Sequence, residues 1–143
     1  MKNKAPLALM EQLVMVLVFA LAATVCVQVF VFSDRMSRRN EQIDRAMLAA
    51  QNVAEIAKYT AGDWEQAVQI LGGTWEDTTW RLSYSRDGQP ARDDENSDFF
   101  ISVSCMDSGQ PLLGMAQVKA QTREEKELFS FPVAWQEVDD EQT

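Results

Sequence analysis

One acidic side chain, Glu11, stands at the start of a long apolar segment and could take part in an ion pair. From Leu13 to Phe32 the sequence has no charged residue, no glycine and no proline. A carboxylate half-buried at such a helix end is costly to desolvate unless a cation pairs with it. No Lys or Arg lies between Glu11 and Asp34, so a close partner would be another chain, the amino terminus or lipid. The alternative is a carboxylate in the headgroup region, stabilised by the positive end of the helix dipole.

A second polar group, in the segment PARDDENSD, offers oxygen ligands of the kind that calcium prefers. It contains four closely spaced carboxylates: Asp93, Asp94, Glu95 and Asp98. The segment lacks the glycine and the fixed spacing of an EF-hand loop, which favours a solvated loop over a metal site. The chain has no histidine, and no nucleophile-elbow, Walker or dinucleotide-binding glycine pattern occurs. The sequence therefore predicts no enzyme and no metal or cofactor site.

The tryptophans and cysteines have more ordinary interpretations. Trp64, Trp75, Trp80 and Trp135 could line a ligand groove, but aromatic packing beneath a small sheet is favoured. Cys26 lies inside the apolar segment, and Cys105 lies far downstream in a predicted strand, so a disulfide between them is not expected. We predict that Cys26 is a small residue of a membrane helix and that Cys105 is a core residue.

The apolar segment is long enough to cross a bilayer. Twenty helical residues rise by roughly 30 Å, which matches the hydrocarbon core. We predict a transmembrane helix over residues 7–32, preceded by a leader or cytoplasmic N-terminus over residues 1–6. A cleaved secretory signal is the alternative, but the apolar run continues ten residues past the small-residue site at 20–22. Arg35, Arg38 and Arg39 follow it and are expected to anchor the helix at the membrane interface.

Charge divides the chain into two parts. Residues 1–39 carry five basic and two acidic side chains, whereas residues 40–143 carry eight basic and twenty acidic ones. The strongly acidic second part argues against nucleic acid as a binding partner, because phosphate contacts need Lys and Arg. Membrane lipid is the partner that the first part predicts. Basic residues flank both ends of the apolar segment, so charge alone does not set its orientation.

The helical pattern continues beyond the membrane segment, because no glycine or proline occurs from Leu7 to Ala61. Apolar residues recur at three- and four-residue steps, which predicts an amphipathic continuation over residues 33–61. Its expected buried face is rich in alanine: Ile43, Ala46, Met47, Ala50, Val53, Ala54, Ala57 and Ala61. Small side chains on this face would let another element approach closely.

Residues 62–136 predict a small antiparallel β domain with one short helix. Asp63 and Gln66 form a capping-box pattern, and Gly72 with Gly73 would end that helix. Four strands follow from the alternating pattern, over residues 79–85, 99–106, 113–122 and 128–136. Pro132 predicts an edge or bulged position for the last strand. The expected fold is α+β, a long helix packed against a four-stranded sheet, with an acidic tail over residues 137–143.

This order of parts resembles the type IV pilins and the pseudopilins of type II secretion and DNA-uptake machines. The segment LALMEQLVMVLVFALAA is similar to the prepilin-type N-terminal motif. In that family a leader is cut off before the apolar segment, and a glutamate four places later pairs with the terminal amine of a neighbouring subunit. The resemblance implies that Leu7 is the new first residue and Glu11 the pairing carboxylate. Pro6 departs from the glycine or small residue that the family has before the cut, so the processing site is degenerate.

The resemblance implies a structural subunit that assembles with other pilin-like subunits into a filament or pseudopilus. It also implies an inner-membrane, single-pass location with the C-terminal domain outside the cytoplasm. The alternative is a membrane-anchored binding protein with an extracytoplasmic β domain and no filament role. Pilus, secretion and competence systems all remain open on the sequence alone.

Overall fold

A computed structural model describes residues 4–92 and 94–137 of the chain. Asp93, most of the predicted leader and the predicted acidic tail beyond its first residue lie outside the described residues. The chain divides into two compact units after Glu41, and each is described by itself below.

Helix α1 spans Ala5–Tyr59 and contributes to both units. It is unbroken because the first glycine of the chain is Gly62. At its end Ala61 and Gly62 both take left-handed backbone angles, with φ of 49° and 85°. The amide of Gly62 donates to the carbonyl of Ala57 at 3.4 Å, which satisfies one of the free carbonyls of the last turn. The predicted start at Leu7 is two residues late.

In the first unit all described residues are solvent-exposed, from Lys4 to Glu41. This stretch carries the apolar segment, and the side chains of Phe19 and Phe30 are 76% and 75% exposed. Large apolar side chains in contact with water raise the free energy of a soluble chain, so this surface needs a nonaqueous or protein partner.

In the second unit α1 buries a face made almost wholly of alanine. Its buried residues are Ala46, Ala49, Ala50, Val53, Ala54 and Ala57. The predicted face is largely confirmed, with Ala49 in addition. Ala61 was wrongly included in it: the helix has already ended at Tyr59, and the turn at Ala61 exposes that side chain.

Helix α2 spans Trp64–Leu71 and follows the predicted capping pattern. The carboxylate of Asp63 accepts a hydrogen bond from the amide of Gln66 at 3.1 Å. Such a cap contributes about 1 kcal/mol to helix stability. The helix ends at Gly72, whose amide donates to the carbonyl of Val68 at 2.7 Å. Ala67 is buried completely, which attaches the helix to the main core.

The sheet has five antiparallel strands in the order β1-β2-β3-β4-β5, and not the predicted four. Their bounds are Thr74–Glu76, Thr79–Tyr84, Phe99–Met106, Leu113–Thr122 and Glu127–Gln136. The unpredicted strand is β1, which pairs with β2 through Trp75 and Trp80. It has three residues, all exposed, so it shows no alternation that a sequence pattern could detect.

Alternation places one face of β2 to β5 against α1. One cross-strand row runs through Trp80, Val103, Val118 and Phe131. Trp80, Val103 and Val118 are each 0% exposed, and four alanines of α1 belong to the same hydrophobic cluster: Ala46, Ala49, Ala50 and Ala54. The helix contributes small side chains and the sheet contributes large ones, so the two layers fit closely.

Two predictions about single strand residues have opposite outcomes. Pro132 lies in β5, an edge strand, as its missing amide hydrogen predicted. Cys105 was predicted to be a core residue and is exposed. Cys105 lies near the end of β3, beyond Val103, the last residue of that strand that belongs to the core cluster.

Candidate functional site: the apolar segment and Glu11

Glu11 lies in the second turn of α1 and is fully exposed. Residues three and four positions away on a helix are its neighbours, and at Glu11 these are Leu7, Ala8, Val14 and Met15. All four are apolar. Among the described residues, the Glu11 carboxylate has no hydrogen bond or ion pair. The carboxylate is therefore available to a cation from outside this part of the chain.

The predicted processing site lies inside the first turn of α1. The helix begins at Ala5, and the bond between Pro6 and Leu7 belongs to its helical backbone. Proline is tolerated there because the first amides of a helix have no intrahelical acceptor. The amide of Ala8 already donates to the carbonyl of Lys4 at 3.3 Å. A peptidase would have to act on a bond held in a helical turn.

Helix α1 is long and apolar enough to cross a membrane, and no other helix among the described residues is. An 18-residue stretch of it has a mean hydropathy of 2.7, and none of that stretch is buried within the protein. The helix meets this requirement by its length and its composition.

Of the three predicted interface arginines, Arg38 has a partner within the helix. Its Nε donates to the carboxylate of Asp34 at 3.0 Å, one turn earlier. Both side chains are largely exposed, so the pair contributes little stability. For Arg35 and Arg39, no ion pair occurs among the described residues, and both remain able to bind phosphate headgroups.

Gln28 is a polar residue of the apolar segment to which sequence reasoning gave no role. Its side-chain amide has no hydrogen-bond partner among the described residues. Thr24, the other clearly polar residue there, donates its hydroxyl hydrogen to the carbonyl of Ala20 at 2.8 Å. The signal was present in the sequence, as the one side-chain amide between Leu13 and Phe32.

The four tryptophans form one cluster in the second unit. Trp64 contacts Trp75, Trp80 and Trp135, with ring centroids 5.1, 6.3 and 5.8 Å away. Trp80 and Trp135 are core residues, and the Nε1 of Trp80 donates to the carbonyl of Gly72 at 2.9 Å. Trp75 is 37% exposed and stacks on Trp64. Packing explains most of the cluster, and Trp75 alone offers an aromatic surface to solvent.

The acidic loop is tied to the sheet. Asp94 accepts a hydrogen bond from the hydroxyl of Ser83 at 2.5 Å, and Ser97 donates to the carbonyl of Asp94 at 2.7 Å. Glu95 and Asp98 are exposed, and Asp93 lies outside the described residues. Within residues 4–92 and 94–137, no three acidic or cysteine side chains lie close enough together to hold a metal ion.

No protein family, curated protein or solved structure matches this chain.

Proposed function

We propose that this chain is a pilin-like structural subunit, of the minor pilin or pseudopilin kind. It would be held in the cell membrane by the first part of α1, with the β domain outside the cytoplasm. The observation that carries the proposal is Glu11, an acidic side chain within an apolar helix surface that offers it no partner. Such a surface, with one charge at a defined place, fits a helix that packs beside copies or relatives of itself.

The structure of α1 supports an assembly role in a second way. The same helix that carries the exposed apolar surface contributes six buried residues to the core of the second unit. The second unit therefore takes part of its core from the same helix that carries the apolar segment. A subunit whose anchor helix enters a filament would carry its β domain with it.

The pairing would work through charge in a medium of low dielectric constant. A neighbouring amino terminus or basic side chain that approaches Glu11 would replace water as its partner. Breaking such a pair by removing one partner costs about 3–5 kcal/mol when the site is fully buried. Glu11 would therefore determine which register of neighbouring helices is stable.

A membrane-anchored binding protein is the second candidate, and one observation favours it. An open groove in the second unit is lined by residues from the end of α2, β1, β2 and the acidic loop, among them Gly73, Arg81 and Asp94. Mixed charge and an exposed position suit a polar partner. In that case the first part of α1 would serve only as an anchor.

Substitution of Glu11 tests the assembly role. Glu11→Leu should leave the protein in the membrane fraction and abolish its co-purification with other pilin-like subunits. Gln12→Leu is the matched control, because it removes a polar group at the neighbouring position without changing charge. Normal co-assembly of Glu11→Leu would overturn the proposed role.

Replacement of the anchor separates the two candidates. Residues 1–32 are exchanged for an unrelated transmembrane helix, and the second unit is left intact. A structural subunit should lose its place in the assembly, whereas a binding protein should keep its function.

A further inference from the structure

We propose that α1 pairs with α1 of a second copy of this chain inside the membrane, through reciprocal hydrogen bonds between the two Gln28 side chains. This inference rests on the membrane part of the proposed function and goes beyond the role of Glu11. It names a second copy as a partner of the apolar helix and Gln28 as the residue that fixes the register of this dimer, whereas Glu11 would set the register of subunits in the assembly.

Gln28 is costly to leave without a hydrogen-bond partner inside the membrane. A side-chain amide in hydrocarbon pays for lost hydration unless it is hydrogen-bonded. Thr24, one turn earlier, avoids that cost through its bond to the carbonyl of Ala20. Gln28 has no such bond to any described residue, so its donor and acceptor both need an external partner.

Water at the nearer membrane interface does not serve as the partner of Gln28. Gln28 lies four residues before Phe32, about 6 Å from that end of the predicted span. Side chains on a helix lean toward its N-terminus, which directs this amide away from the near interface and toward the bilayer interior. The side chain therefore does not reach water by extending toward Ser33.

A second copy of this chain is the partner that fits the Gln28 side chain. A glutamine side chain carries two donors and an acceptor, so two glutamines can bond each other reciprocally. Copies of a single-pass protein share one orientation, which places Gln28 of each at the same depth. Glu11 has no such option, because two ionised carboxylates repel each other.

The surroundings of Gln28 provide a packing surface for such a pair. Residues spaced by four and three positions share one side of a helix, as in the seam of a coiled coil. We name this side the Gln28 face: Leu17, Leu21, Thr24, Gln28 and Val31. One polar residue in an otherwise largely apolar seam is known to fix register and oligomeric state. Cys26 lies about 160° around the helix from Gln28, away from this face.

Energy transfer between labelled chains tests the dimer. The full-length protein with Cys26→Ala is labelled at the exposed Cys105 and reconstituted into phosphatidylcholine vesicles. Gln28→Leu should weaken dimerisation by about 3- to 30-fold, the range for one or two hydrogen bonds in a membrane. Gln28→Asn keeps an amide and should restore most of the affinity. An undiminished dimer in Gln28→Leu, or no dimer in the parent protein, would overturn the inference.

Disulfide cross-linking tests the face and the partner. All chains in this test carry Cys105→Ala, because Cys105 is exposed and could itself form a disulfide. Val31→Cys in the Cys26→Ala background should then give a cross-linked product of twice the chain mass, and a chain that retains Cys26 should not. Equal cross-linking through Cys26, or a product with a protein of different mass, would contradict pairing through the Gln28 face.

The inference and the proposed function fail in different ways. Glu11→Leu should keep the Gln28 dimer while losing co-assembly. If Glu11→Leu co-assembles normally, the filament role falls and the dimer result stands. Release of the natural protein from membranes by alkaline carbonate would remove the basis of both.

Discussion

Trp135 covers the backbone of Gly114, its cross-strand partner in the β4–β5 pair, so closely that a Cβ on Gly114 would overlap the indole ring. The same ring lies against Gly62, where a Cβ would come within 3.0 Å of it. The indole thus packs between the last strand pair and the turn that ends α1. Both contacts require glycine for its lack of a side chain.

Gly114→Ala should therefore lower the free energy of unfolding by about 1–3 kcal/mol, the usual cost of overpacking a core. Urea denaturation of a fragment of residues 42–143, which contains the whole core, provides the measurement. In a Trp135→Phe background the cost should shrink, because the smaller ring leaves room for the methyl group. An equal cost in both backgrounds would contradict the proposed overlap.

Because of Tyr84, we expect the free energy of unfolding to fall at high pH. Its side chain is 3% exposed, and its hydroxyl has no hydrogen-bond partner in the described part of the chain. Burial raises the pKa of Tyr84 to about 12 from its ordinary value of 10.0. Between these two values the unfolded chain releases a proton that the folded chain retains, so stability falls as pH rises from 10 to 12 and is unaffected by this group below 10.

Tyr84→Phe should remove that pH-dependent loss and should leave stability at pH 7 unchanged or raised by up to about 1 kcal/mol. The reason is that a buried hydroxyl without a partner loses its hydrogen bonds to water and gains none in the folded chain. Tyr59→Phe is the matched control, since Tyr59 is 77% exposed and is the other tyrosine of the chain. Urea denaturation from pH 7 to 12 tests both. A lower stability of Tyr84→Phe at pH 7 would show that the hydroxyl is hydrogen-bonded.

Pro6 predicts inefficient processing before Leu7. Proline fixes the backbone angle next to the scissile bond, and the bond lies within a helical turn. Pro6→Gly should raise the fraction of chains that begin at Leu7, because glycine both frees the backbone and weakens the helix. Intact-mass spectrometry of the membrane-extracted protein measures this fraction. Pro6→Val also frees the backbone angle but retains a larger side chain than glycine, so it should raise this fraction less than Pro6→Gly does.

Much of the fold follows from local patterns in the sequence. Strands β3 and β4 have the predicted bounds, because their alternation is regular and turn residues follow each of them. Strand β1 was not predicted, and the reason is physical. Its three residues are exposed and form a strand only because β2 lies beside them. The pairing of Trp75 with Trp80 across a two-residue turn was the available signal. Cys105 shows the reverse, since its alternation was correct but the core cluster ends at Val103 of the same strand.

The candidate site was less accessible to sequence reasoning. Glu11 and the apolar segment stand out by composition, and the structure adds that the described chain offers Glu11 no partner. Gln28 needed the hydrogen-bond pattern of the helix to separate it from Thr24. Two contacts of Arg45 gave no signal in the sequence, because their partners lie more than forty residues away. Arg45 donates to the carbonyl of Arg86 at 2.9 Å and pairs with Asp87 at 3.2 Å.

The alanine face of α1 does little to fix the position of the helix along its own axis on the sheet. Methyl groups present few ridges, so a smooth face resists sliding less than one with large side chains would. Two attachments near opposite ends of the buried stretch supply the missing constraint. Arg45 is bound to the turn at Arg86 and Asp87, and Gly62 lies against Trp135. These two contacts therefore set the axial position of the buried stretch of α1 on the sheet.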